Sequence, residues 1–144
     1  MIRKLLFSCV LLACISVLGC SSKVQMGGRV TYSDDGAPVT VGFVVFATPT
    51  YQSRGIIKSD GTYTLSSTGN NDGIPKGEYA VYLIGVEKDT QIVRSDGSYI
   101  TRSELLISEK FTSPETSDLK CVIDGKEKTF DIIVDRFVNP GGRR

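Results

Sequence analysis

From residue 24 onward, apolar and polar positions alternate in short runs separated by turn residues, and no stretch keeps a long helical period. Val24, Met26, Gly28, Val30 and Tyr32 alternate with Gln25, Arg29 and Thr31, the pattern of a half-buried strand. Val39 to Thr48 is nearly continuous in apolar residues (Val41, Phe43, Val44, Val45, Phe46), which predicts a strand buried on both faces. Arg54 to Lys58 and Thr62 to Ser66 flank Ser59-Asp60-Gly61, and an Asp-Gly pair between β-type runs predicts a hairpin. Tyr63 and Leu65 then share one face. Gly69 to Gly73 reads as a loop, and Pro75-Lys76-Gly77 leads into the longest strand, Glu78 to Glu87. Tyr79, Val81 and Leu83 line one side of that strand, with Ala80, Tyr82 and Ile84 on the other. The last two runs, Leu119 to Ile123 and Lys128 to Val134, are joined by Asp124-Gly125-Lys126, a second predicted hairpin, with Phe130, Ile132 and Val134 toward the core.

Lys88 to Thr101 is polar and reads as an insertion or long loop, with a turn at Asp96-Gly97 and weak β candidates at Ile92-Val93 and Tyr99-Ile100. Thr101-Arg102-Ser103-Glu104 fits a helix capping box, so Leu105 to Lys110 is predicted to make about two helical turns, stopped by Pro114. Seven short strands with close turns predict an all-β chain. Its expected architecture is a seven-stranded antiparallel β-sandwich over residues 25–136, with a small barrel as the alternative. Residues 137–144, which include Pro140-Gly141-Gly142, are predicted to be a flexible tail.

The first twenty residues have a different pattern. Arg3 and Lys4 precede an apolar run from Leu5 to Leu18, then Gly19 and Cys20. That order predicts a helical signal peptide over residues 1–19, and the run falls short of the roughly 20 residues that cross a bilayer. Val17-Leu18-Gly19-Cys20 resembles the lipobox of bacterial lipoproteins, with valine where leucine is usual. The resemblance implies cleavage between Gly19 and Cys20, lipid attachment at Cys20, and a lipidated tether over residues 20–24. Two or more acyl chains hold a protein stably on a membrane. Ser21 and Ser22 place no aspartate beside the cysteine, which by the same resemblance implies an exported protein on the outer membrane, facing the periplasm or the cell surface.

Composition narrows the remaining choices. The whole chain has 144 residues, with 17 Lys and Arg against 16 Asp and Glu. Without Arg3 and Lys4 the mature part is nearly neutral, so no basic footprint for nucleic acid remains. Loss of the leader also removes Cys9 and Cys14, and lipid occupies Cys20. Cys121 is then the one free thiol, with no partner for a disulfide, and its place in an apolar strand pattern predicts burial.

The ordered set Gly28 to Tyr32, Pro38 before Val41 to Phe46, Asp60-Gly61-Thr62-Tyr63-Thr64-Leu65, and Ile74-Pro75-Lys76-Gly77-Glu78-Tyr79 resembles the carboxypeptidase-regulatory-like domain. Glu109-Lys110-Phe111 and Lys128 to Ile132 extend the likeness, which runs from Gln25 to Asp135. It implies a transthyretin-like (prealbumin-like) β-sandwich that serves as an accessory or binding module. Asp60, Gly61, Tyr63, Leu65, Pro75, Gly77 and Tyr79 are its motif residues, and their roles are to turn the chain and fill the core.

No histidine occurs in the chain, so Ser-His and Cys-His nucleophile arrangements are excluded, and zinc or copper would lack its usual ligands. The transthyretin-like enzymes that hydrolyse 5-hydroxyisourate use histidines and a Tyr-Arg-Gly-Ser end, neither found here. Asp34-Asp35, Asp60 and Asn70-Asn71-Asp72 are spaced as turns and lack the alternation of a calcium loop. We therefore expect no enzyme activity, metal or cofactor. The expected role is a non-catalytic, membrane-anchored binding or structural module of the cell envelope, with a protein or glycan partner. Lys88, Asp89, Arg94 and Tyr99 in the insertion are its candidate recognition residues, because loops on a rigid sandwich often carry recognition. A carbohydrate-binding module using Tyr51, Tyr82 or Tyr99 is one alternative. A hydrolase with a converging carboxylate pair is the other.

Overall fold

A computed structural model describes residues 23–67, 69 and 72–138. The signal peptide, Gly19, Cys20, Asn70, Asn71 and the tail from residue 139 lie outside the described residues. Among the described residues nine strands form: β1 Gly27–Tyr32, β2 Phe43–Ala47, β3 Gln52–Ile56, β4 Thr62–Thr64, β5 Gly77–Ile84, β6 Glu87–Val93, β7 Tyr99–Leu105, β8 Lys120–Ile123 and β9 Ile132–Val134. Seven of them make two sheets, ordered β4-β1-β9 and β3-β2-β5-β8, while β6 and β7 pair only with each other. The chain is thus all-β, with a seven-stranded sandwich and a separate hairpin. Every pairing is antiparallel except β1 with β9, which runs parallel with Val30 opposite Ile132.

Alternation determines which side chains enter the space between the sheets. Val30 and Tyr32 of β1, Val44 and Phe46 of β2, Tyr79, Val81 and Leu83 of β5, and Ile132 and Val134 of β9 all belong to one buried cluster. On β2 the outward Val45 is also fully buried, flanked in register by Arg54 and Tyr82. Phe46 lies near the centre of an aromatic group, with ring centroids 6.4 Å from Tyr63, 6.3 Å from Tyr79 and 5.8 Å from Phe130. Aromatic pairs at such separations add to the area they bury. The Tyr63 hydroxyl donates to the Phe130 carbonyl at 2.5 Å, and burial raises its pKa. Gly28 has no side chain where one is impossible: a Cβ there would come within 2.1 Å of the Phe130 carbonyl oxygen.

Of the two predicted sheet hairpins, the one at Asp60-Gly61 forms in part, with Arg54 and Ser66 bonded to each other across it in both directions, and it also serves as a corner between the sheets; the one at Asp124-Gly125 is a corner instead. At Asp60-Gly61 the turn is tight, with the Gly61 amide donating to Lys58 and the Lys58 amide to Thr62. Gly61 has φ +82, and a Cβ would meet the Val30 carbonyl at 2.7 Å. Beyond the turn, however, β3 belongs to one sheet and β4 to the other, where Thr62 pairs with Arg29. The chain can cross over there because Gly55 lets Thr64 approach: a Cβ on Gly55 would come within 2.5 Å of the Thr64 carbonyl. After Asp124-Gly125 the chain likewise leaves β8 for β9 in the opposite sheet, and regular pairing begins at Ile132 rather than Lys128.

The predicted helix is also corrected. Thr101 to Glu104 lie within β7, so the amides a capping box would have satisfied belong to a strand ladder. Among the described residues only Glu109–Phe111 is helical, as a single 3-10 turn. Lys88 to Thr101 forms regular hairpin, not loop.

Candidate recognition surface

The hairpin β6–β7 is built by seven consecutive cross-strand pairs, from Glu87 with Leu105 to Val93 with Tyr99. Its end is closed by Asp96-Gly97. The Asp96 carboxylate accepts from the Ser98 amide at 2.9 Å and hydroxyl at 2.7 Å, which lowers its pKa, and Gly97 takes φ +81. A five-residue polar apex follows from those bonds. Immediately below it, the pairs Ile92 with Ile100 and Val93 with Tyr99 place apolar groups on both faces. Their exposures are 39%, 36%, 62% and 69%. Exposed apolar residues are ordinary singly; here they come as one cross-strand pair on each face of the hairpin.

The four candidate recognition residues are divided by this geometry. Lys88 sits at the root opposite Glu104, and Asp89 accepts from the Ser103 hydroxyl at 2.6 Å. Arg94 and Tyr99 sit at the far end, where the Arg94 amide donates to Ser98. By alternation Lys88 and Arg94 share a face with Ile92 and Ile100, while Asp89 and Tyr99 share the other with Val93. Ile92, Val93 and Ile100 lie within the insertion expected to meet a partner but were not singled out in it. Their signal was the short β-type run on either side of Asp96-Gly97, which pairing turns into one apolar pair on each face.

The other candidate chemistries lack geometry. Tyr51 packs edge-on to Tyr79 at 6.3 Å against the core, Tyr82 points from the outer side of β5, and Tyr99 is on the hairpin, so the three do not form one aromatic platform. Asp35, Asp60, Asp96 and Asp135 have displaced pKa values, each of them downward. For Asp35 the cause is the Ala37 amide and then Arg136; for Asp60 it is the Thr62 hydroxyl and amide; for Asp135 it is the Ser33 hydroxyl and Lys110. A general acid needs the opposite displacement. No group of three or more possible metal ligands occurs among the described residues.

Fold-motif residues occupy structural places. Leu65 is fully buried, Tyr63 and Tyr79 nearly so, and the Tyr79 hydroxyl donates to the Pro75 carbonyl at 2.9 Å, just before Gly77 opens β5. Asp60 caps its own turn through Thr62. Cys121 is buried, and burial raises its thiol pKa, the condition of an unreactive thiol.

No family profile matches the chain, and no curated protein matches it in sequence. Among solved structures it is similar to BcpA, the major pilin subunit of Bacillus cereus, at TM-score 0.42 and 14% identity, covering 80% of this chain and 30% of that one. A 9R-lipoxygenase from Cyanothece is similar at TM-score 0.38 and 12% identity, covering 84% of this chain and 18% of the enzyme. The chain spans less than a third of either protein, and at these scores neither likeness bears on function.

Proposed function

We propose that this chain is a lipid-anchored envelope protein with a carboxypeptidase-regulatory-like β-sandwich, and that it works without catalysis by holding a protein partner on the β6–β7 hairpin. The observation that carries the reading is the hairpin itself. Among the described residues it pairs with no other strand, and all seven residues of β6 are exposed. A lone two-stranded hairpin is marginal in water, and its unpaired edges are open to pairing. A partner that covers Ile92, Val93, Tyr99 and Ile100 and pairs with an edge supplies what the sandwich does not. Tyr and Arg, here Tyr99 and Arg94, dominate the energetics of many interfaces.

The anchor part rests on the lipobox resemblance at Cys20 and on the signal-peptide pattern before it. The test is a photo-crosslinking residue placed at Tyr99, and separately at Lys110, in the full-length chain in living cells. A reproducible protein adduct from Tyr99 but not from Lys110 supports the reading. No adduct from Tyr99, with the chain intact and membrane-bound, overturns it and favours the glycan alternative. In the same cells Cys20→Ser should leave the leader uncleaved and release the protein from its membrane site; unchanged processing and retention refute the anchor.

A further inference from the structure

We propose that the end of the sandwich nearest the tether is a docking face for anionic phospholipid headgroups, with Lys23, Lys76 and Lys128 as the residues that meet their phosphates. This rests on the lipid anchor proposed above. Lys23, Val24, Gln25, Lys76, Gly125 and Lys128 line one shallow depression. Its lining has three cations and no carboxylate, although Asp72 beside it is paired with Lys23, so Lys76 and Lys128 carry its open charge. Lys23 donates to Asp72 at 2.7 Å and to the Ser67 hydroxyl at 3.0 Å, which ties the start of the described chain to this end. Lys76 and Lys128 have no carboxylate within ion-pair distance among the described residues. Gly125 matters to the shape, because a Cβ there would come within 2.9 Å of Lys76 Cε; without one, the lysine lies across the turn.

Covalent reach places this face at the membrane. Only Ser21 and Ser22 separate Cys20 from Lys23, and an extended chain spans at most about 3.3–3.6 Å per residue. A lipid on Cys20 therefore holds the depression within roughly one Debye length of the headgroups at 0.1 M salt. Orientation of the strands agrees. Val24 bridges Ile74 just before β5 begins, whereas the hairpin root follows the end of β5, so the tether and hairpin leave from opposite ends. The far end holds Asp34, Asp35 and Asp135 against Arg136 and Lys110. At the tether end Asp72 and Asp124 are paired with Lys23 and Lys126, which leaves Lys76 and Lys128 to draw that end toward an anionic surface more than the far end, and the sandwich stands with its hairpin away from the membrane.

The test uses the full chain, processed in cells, purified in detergent and reconstituted into phosphatidylcholine vesicles with or without phosphatidylglycerol. Intact mass first reports whether Cys20 carries lipid. Lysine acetylation followed by peptide mass spectrometry then compares Lys76 and Lys128 with Lys88 and Lys110. With phosphatidylglycerol the first two should be labelled on the order of fivefold more slowly than without it, as expected for cations at an anionic surface, and high salt should abolish the difference. Lys88 and Lys110 should not change. Lipidated protein with equal labelling in both vesicle types overturns the docking face alone. An unlipidated Cys20 overturns the anchor and the docking face together. Lys76→Glu with Lys128→Glu should remove the phosphatidylglycerol-dependent protection of Lys23; its persistence assigns the effect to other residues.

Discussion

The sandwich and the hairpin are made of the same kind of strand and meet opposite fates. In β5, alternate residues Tyr79, Val81 and Leu83 point at a facing sheet and are buried. In β6, seven residues of equal regularity face solvent on both sides. What separates them is a second layer: β5 has one and β6 does not. Backbone pairing is regular in both, although β6 is paired along one edge only, so hydrogen bonding alone does not produce a core. Apolar burial does, at about 25 cal/mol per Å² removed from water. The apolar residues near the hairpin end therefore stay exposed, whereas those of the sandwich hold the fold.

The largest effect expected from breaking this contrast is in the core. Leu65→Ala should lower stability by about 2–5 kcal/mol, the range for a buried leucine that leaves a cavity, measured by urea unfolding. A loss under about 1 kcal/mol would mean the site collapses easily or is less enclosed. Next is the corner that sends β4 to the other sheet. Gly61→Val forces a branched side chain into positive φ and against the Val30 carbonyl, and should cost on the order of 1–3 kcal/mol. Thr62→Val loses only a local hydroxyl bond to Asp60 and should cost less. Equal losses would show that the turn tolerates an ordinary residue.

A pH titration examines the far end of the sandwich. Asp35 and Asp135 have folded-state pKa values below the ordinary 3.8, so their contribution is complete above that value and is lost as pH falls through the lowered ones. Thermal stability should therefore decline below about pH 4, and Asp35→Asn should flatten part of that decline. An unchanged slope in the variant would remove the Ala37 and Arg136 contacts as its source. The smallest stability effect belongs to the hairpin. Ile92→Ser with Tyr99→Ser should shift stability by no more than about 0.5 kcal/mol, as for surface substitutions, while abolishing the crosslink to the partner. Marked destabilisation would mean that the hairpin packs on the sandwich after all.

Much of the sandwich was legible in alternation. Val30 and Tyr32, Tyr79 and Leu83, and Ile132 and Val134 face inward because period two permits only two faces and one is apolar. Turn positions at Asp60-Gly61, Asp96-Gly97 and Asp124-Gly125 were legible too, since Asp-Gly has a local conformational reason to turn. Partner choice was not. Only the turn at Asp96-Gly97 joins strands of the same sheet, although all three pairs look alike. The capping box at Thr101 to Glu104 misled because its bonds compete with a strand ladder whose other half begins fourteen residues earlier, at Glu87. In the proposed recognition surface, Lys88 to Ile100 stood apart in the sequence as an insertion, but its apolar pairs did not, because Ile92 and Ile100 become neighbours only across the pairing.

By itself, then, the sequence determined the class of fold, the inward residues and the places where the chain turns, because each depends on neighbours within a few positions. The tertiary structure alone decided the rest: which sheet receives each strand, the parallel seam between β1 and β9, the isolation of the hairpin, and the meeting of Lys23, Lys76 and Lys128 at one end. Those outcomes depend on close approaches between distant segments, such as Gly55 to Thr64 and Gly125 to Lys76, where the absence of a side chain matters only once the other segment has arrived.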